Sequence, residues 1–226
     1  MLNELLKNNF IGHYGITNKN VSVDYRLVRD QEFDLKDMSS PFDVLPFGSG
    51  EFSLKGNDGE MEIVHYEDFV NQCKKPRSFV EGRKRCDYVL CSSAADDEAG
   101  HVLLVEITSA SGNVENLKKP IFDKNGDVQF GGGKFEKGEQ QLSVSLETLM
   151  EIPEIKAFVD GFADKQCLLS YRVLPKTAQM VSMPRPMRRY LDVEAKETRG
   201  KGAVLANTVI NGYGFTYRRL GSYLEL

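Results

Sequence analysis

The sequence predicts an α/β (or α+β) domain, a mixed β-sheet flanked by helices with an N-terminal elaboration. Three observations predict it. Two short apolar runs, residues 86–92 and 102–108, each carry one acid near an end, Asp87 and Glu106. Residues 138–149 place Leu142, Leu146 and Leu149 on one face at helical spacing. A third apolar run, residues 167–174, is stopped by Pro175. An acid inside an apolar strand is costly to bury unless paired, hydrogen-bonded or metal-bound, so Asp87 and Glu106 are the first candidates for chemistry.

Length and composition bound the reading. The 226 residues suffice for one substantial domain or a domain with a smaller appendage. Hydrophobic content of 41% and charged content of 27% exclude wholesale disorder. A net charge of −4 excludes a uniformly basic nucleic-acid binder and is too small for an inhibitor that mimics nucleic acid. It leaves room for a local basic patch along a groove. No window reaches the roughly 18 apolar residues of a membrane span, and the first residues lack a signal-peptide core. A cytoplasmic protein without membrane association is expected. Cys73, Cys86, Cys91 and Cys167 form no Cys-x-x-Cys pair, and with only His13, His65 and His101 a zinc centre is not expected.

Taken in order, residues 1–10 read as a short helix with Leu2, Leu5, Leu6 and Phe10 on one face, closed by Gly12. Residues 16–28 alternate as a strand through Val21, Val23, Tyr25 and Leu27. Residues 30–50, acidic and then rich in Pro, Ser and Gly, read as a surface loop. Residues 51–55 and 60–66 flank Gly56-Asn57-Asp58-Gly59, the pattern of a hairpin. Residues 67–73 read as a short helix bearing Glu67. The runs at 86–92 and 102–108, joined by an acidic turn, are expected as antiparallel neighbours. Residues 109–137 read as a long inserted loop containing a hairpin around Asn125-Gly126 and a flexible hinge at Gly131-Gly132-Gly133. The helix at 138–149 follows, then a helical turn at 155–162 and the 167–174 strand. Residues 204–210 and 215–220 read as the last strands, with a turn at Asn211-Gly212. The division expected is 1–78 as an elaboration packing on a core of 79–226.

The order of strand with Asp, strand with Glu-x-Thr, then helix resembles the core of the PD-(D/E)xK, or restriction-endonuclease-like, nuclease superfamily. Within it the wording is similar to a group with the signature C-D-Y-L, I-E-L-K and a helix reading E-Q-L. The matching residues are Cys86-Asp87-Tyr88-Val89, Val105-Glu106-Ile107-Thr108 and Glu139-Gln140-Gln141-Leu142, and the resemblance covers residues 80–175.

The resemblance implies a restriction-endonuclease-like core and a metal-dependent nuclease acting on DNA in preference to RNA, in a prokaryotic defence or mobile-element system. It assigns Asp87 and Glu106 as ligands of Mg²⁺ or Mn²⁺, with the Ile107 carbonyl as a backbone ligand. Such ions take hard oxygen ligands, neutralise charge developing on the phosphate and acidify a bound water. Gln140 or Gln141 could face the metal or the phosphate, and Glu67 could supply a third acid. The departure is Thr108, which stands where the superfamily carries its Lys. Two readings follow. Lys134 or Lys137, with Lys118 and Lys119 as weaker candidates, takes over that charge; or the fold is catalytically inactive and serves as a nucleic-acid-binding or protein-assembly subunit.

Basic residues gather twice, at Lys74, Lys75, Arg77, Arg83, Lys84 and Arg85 and again at Lys176, Arg185, Arg188 and Arg189. Of these, Lys84, Arg85, Arg188 and Arg189 are the expected phosphate contacts. Nucleic acid is the expected partner, beside a homodimer mate or an operon-encoded protein.

Overall fold

In the computed structural model, which describes residues 1–38, 40–73, 85–92, 100–174, 200, 202–221 and 223–226, the run around Glu106 forms the middle strand of a seven-stranded sheet. This strand, β6 (His101–Ser111), is apolar on both faces, as a strand covered on both sides must be. Its neighbours are β5 (Tyr88–Ser92), antiparallel, and β9 (Asp164–Leu174), parallel. Beyond β5 lie β4 (Met61–His65) and β1 (Tyr25–Val28); beyond β9 lie β11 (Thr216–Leu220) and β10 (Ala203–Leu205). The sheet is therefore mixed.

Side-chain alternation along β6 separates two cores. Val102 and Leu104 face a layer of helices, and Leu103, Val105 and Ile107 face a second, three-stranded sheet. That small sheet consists of β2 (Glu32–Leu35), β3 (Phe52–Lys55) and β12 (Tyr223–Glu225), in the order β12-β3-β2. It presents Phe33, Leu35, Phe52, Leu54 and Leu224 to the large sheet.

The helical layer begins with α1 (Leu2–Leu5), which runs on through a π-helical stretch at Leu6–Phe10 and a last turn at Ile11–His13. Its start is held by buried Glu62, which accepts from the backbone N–H groups of Leu2 at 2.7 Å and Asn3 at 2.8 Å. Next come α2 (Tyr66–Gln72), the short α3 (Glu115–Lys118), α4 (Gly133–Met150), α5 (Pro153–Asp160) and α6 (Thr208–Gly212). Leu142, Leu146 and Leu149 of α4 are buried against the large sheet, as their spacing requires. Pro153 opens α5, where its missing N–H costs nothing.

Several expectations are corrected. The segment 30–50 is not only a surface loop: it contains β2, and Phe33, Leu35 and Phe42 are buried. Residues 52–55 and 61–65 do not pair as a hairpin, because they belong to different sheets. Met61 and Ile63 face the small sheet while Val64 faces the helices, so β4 needs cover on both sides and takes an inner place in the large sheet. Of residues 16–28 only the end is a strand. The 109–137 segment carries the end of β6, α3 and a hairpin of β7 (Ile121–Phe122) and β8 (Val128–Phe130). Of Gly131–Gly133, the last is fixed in place. Gly133 has φ +69° and a Cβ there would stand 2.5 Å from the Leu117 and Lys119 carbonyl oxygens, so it fastens the start of α4. Residues 204–210 split into β10 and α6, because the Asn207 side chain accepts from the Ile210 N–H and starts a helix.

Two strands of the first 78 residues, β1 and β4, extend the large sheet, and the C-terminal β12 joins the small one. The two segments thus share both sheets. All four cysteines are buried free thiols. Among the described residues no helix is long and apolar enough to cross a membrane.

Candidate metal centre

Asp87 immediately precedes β5, and the register pairing Tyr88 with Val105 sets Asp87 beside Glu106 of β6. Glu106 lies against α4. Each is almost wholly buried, Asp87 at 5% and Glu106 at 6% exposure. Asp87 Oδ2 accepts a 2.6 Å hydrogen bond from the Ile107 N–H. Glu106 Oε2 accepts from Gln141 Nε2 at 3.0 Å, and the same nitrogen donates to the Arg85 carbonyl at 2.8 Å. The entry to β5 is fixed by a bond from the Cys86 N–H to the Ser145 hydroxyl, 2.7 Å long. Helix α4 therefore orders Glu106 through Gln141 and anchors the entry to β5 through Ser145, while β6 itself holds the Asp87 carboxylate.

Two further carboxylates converge here. The Glu67 N–H, in the first turn of α2, donates to the Asp87 carbonyl at 3.1 Å, which places that helix start against the acid strand. Asp37 arrives from beyond β2. One ligand oxygen from each of Asp37, Glu67 and Asp87 lies within 4.8 Å of the others, an arrangement that could hold a metal ion. Asp37 and Glu67 also line a cleft of about 290 Å³ with Met38, His65, Asp68 and Asn71.

The electrostatics are those of uncompensated acids. Burial holds the Asp87 carboxyl well above the ordinary carboxylate range, and the charges of Asp37 and Glu67 push the same way against the Ile107 hydrogen bond and Lys137. Burial does the same to Glu106, helped by Asp87 and Glu67 and opposed by Lys137. Among the described residues no cation of the chain makes an ion pair with Asp37, Asp87 or Glu106, and Glu67 has only Arg85 Nε at 3.9 Å.

Of the residues read from sequence, Asp87, Glu106, Ile107, Gln141 and Lys137 come together, Ile107 through its backbone N–H. Lys137, exposed on α4, influences both acids without pairing with either. Lys134 is one turn away in effect: its ammonium donates to the Ser109 carbonyl at 2.6 Å. Arg85 bonds Asn71 and approaches Glu67. Lys84, Arg188 and Arg189 lie outside the described residues. Asp37 was not legible in sequence, because no local pattern marks a loop acid that reaches the site only when two sheets stack. Comparison of the chain with family models, curated proteins and solved structures finds no match.

Proposed function

We propose that the protein is a metal-dependent nuclease of PD-(D/E)xK type that cleaves phosphodiester bonds, of DNA in preference to RNA. The observation that carries this reading is the pair of buried acids, Asp87 and Glu106, set side by side with no cation of the chain in ion-pair reach among the described residues. The donor set fits the cofactor: carboxylate oxygens suit Mg²⁺ or Mn²⁺, and the partnerless Gln141 Oε1 beside Glu106 offers one more oxygen. Such an ion, when bound, supplies charge stabilisation at the phosphate and an acidified water.

The chain's own residues do the rest. The Ile107 N–H holds the Asp87 carboxylate, and Gln141 holds that of Glu106. Lys137 stands at the exposed rim, in position to steady a non-bridging phosphate oxygen. The basic residues Lys84, Arg188 and Arg189 provide the phosphate-backbone contacts in this proposal. A prokaryotic defence or mobile-element role, with a homodimer mate or operon-encoded partner, belongs to the same reading.

The test is incubation of the purified protein with plasmid and single-stranded nucleic acid, with Mg²⁺ or Mn²⁺, beside Asp87→Ala and Glu106→Ala. Cleavage that survives both substitutions assigns the activity elsewhere. A second reading, a catalytically inactive subunit that binds nucleic acid or protein, is favoured by Thr108 at the motif position. It predicts binding without cleavage, and activity that appears in Thr108→Lys.

A further inference from the structure

Val21, Val23, Tyr25 and Leu27 alternate along the chain as one apolar row, and the row outruns its cover. Val21 and Val23 pack against the helical core, whereas Tyr25 is 38% and Leu27 46% exposed. Met1, 49% exposed, stands at the same place, because Glu62, the register partner of Leu27, holds the N–H groups of Leu2 and Asn3. Exposed large apolar side chains thus gather along one edge of the large sheet.

That edge is also open in its backbone. The His65 N–H donates to the Asp24 carbonyl at 3.0 Å, and the register sets Arg26 opposite Ile63 and Val28 opposite Met61. Hydrogen-bonded pairs recur at every second position of an antiparallel ladder, so Asp24, Arg26 and Val28 direct their N–H and C=O groups at β4. Those of Tyr25 and Leu27 face away from it. Among the described residues only the Tyr25 carbonyl is met, by the Arg26 guanidinium at 2.9 Å. The other edges of the two larger sheets are closed or short. On β2, Asp34 exchanges two 2.9 Å backbone bonds with Leu45; on β12, the Glu225 N–H donates to the Gly200 carbonyl; β10 has three residues. Strand β1 carries no proline, lysine or bulge, the usual devices that blunt an edge.

We propose that this edge takes the same edge of a second copy of the chain, β1 running antiparallel to β1 across a two-fold axis at Arg26. Tyr25 then lies opposite Leu27 of the second copy, and each such pair exchanges both of its outward N–H···O bonds. On the helical face the ring of Tyr25 covers Leu27 of the second copy. On the other face the charges are complementary. Each Arg26 is bonded to its own Asp24 at 2.8 Å and to the Phe42 carbonyl at 2.9 Å, and it lies diagonally across from Asp24 of the second copy, within reach of a long side chain. The two arginines therefore meet flanked by two carboxylates. The inference rests on strand geometry and stands whether or not the protein cuts nucleic acid.

The test is sedimentation velocity of the full chain from about 1 to 300 µM, because a contact over four residues is at the small end of specific interfaces and exchanges in that range. Wild type is expected to form a reversible dimer. Leu27→Pro removes an outward N–H and keeps the bonds to β4, as an edge strand allows where the N–H faces solvent. Leu27→Lys changes an exposed side chain to the residue that protects edges. Both are expected to weaken the dimer by about 10–100-fold with unchanged far-UV circular dichroism. Arg26→Cys is expected to cross-link to itself under mild oxidation, because residues opposed at the axis stand about 4.5 Å apart between Cα atoms, within disulfide reach, and the native thiols are buried. A wild type that stays monomeric throughout overturns the inference. So does a dimer that either Leu27 variant leaves intact, or one in which Arg26→Cys does not cross-link.

Discussion

A Cβ at position 138 would stand 3.2 Å from Glu106 Cγ and 2.6 Å from Leu169 Cδ1, so Gly138 is what lets α4 lie directly on the acid strand. Gly138→Ala is expected to lower stability by about 1–2 kcal/mol: overpacking costs ~1–3 kcal/mol, and the better helix propensity of alanine returns up to ~1 kcal/mol. Because the intruding methyl also displaces Glu106, Mn²⁺ affinity falls with it. Urea unfolding with and without Mn²⁺ reads both. A Gly138→Ala protein as stable as wild type in the absence of Mn²⁺ contradicts the close contact.

Gln141 joins two elements through one nitrogen, to Glu106 Oε2 and to the Arg85 carbonyl. Gln141→Leu keeps the volume and the helix but removes both bonds. Groups that orient a metal-binding carboxylate cost 10–100-fold in affinity or activity when lost, by order of magnitude. Mn²⁺ affinity is therefore expected to fall by about that factor while far-UV circular dichroism stays unchanged. Glu139→Leu, two residues back and bonded to Asn207 instead, is the control expected to leave Mn²⁺ affinity intact.

How far the sequence discloses this site follows from which signals are local. The apolar runs of β5 and β6 and the leucine spacing of α4 are local patterns, and they carry Asp87, Glu106 and Gln141 correctly to one place. Asp37 depends on stacking the small sheet across the large one and on a hydroxyl bond from Tyr88 to Lys36, residues far apart in the chain. The glycines at 56 and 59 announce a turn, but not that the strands beside it part into separate sheets. That choice is made by burial of β4 on both faces, which only the assembled layers decide. Likewise Gly131–Gly133 looks permissive in sequence, and the Leu117 and Lys119 carbonyls make Gly133 obligatory.

The buried acids set a pH dependence with a definite sign. Asp87 and Glu106 titrate in the folded protein well above the 3.8 and 4.5 of unperturbed side chains. The folded state then holds protons that the unfolded state has released, so the metal-free protein loses stability as pH rises from those values through the raised folded ones. Thermal unfolding of the chelator-treated protein, scanned from about pH 5 to pH 8, is expected to show a falling midpoint. The fall is shallower in Asp87→Asn, which has no charge to bury. Glu62, also raised by burial, contributes a slope of the same sign to both proteins and cancels in the comparison. Mn²⁺ added at the alkaline end restores the wild-type midpoint. Parallel curves for the two proteins would falsify the raised titration of Asp87.

Lys137 and Lys134 sit three residues apart on α4, and their ammonium groups have different surroundings. The Lys134 ammonium is committed to the Ser109 carbonyl, whereas Lys137 acts on Asp87 and Glu106 and on neither by direct pairing. If Lys137 supplies the charge that Thr108 cannot, Lys137→Ala lowers plasmid cleavage by about 10²–10³-fold, the usual cost of a lost transition-state contact. Lys134→Ala leaves it within a few-fold. A second readout needs no cleavage at all. Without Lys137 the two carboxyls lose a cation that lowers both, so they titrate higher still, and half-saturation with Mn²⁺ at fixed concentration moves to higher pH. Lys137→Met, which keeps the length of the side chain without the charge, is expected to match Lys137→Ala in both measurements. A loss of cleavage in Lys134→Ala with Lys137→Ala active would reverse the assignment.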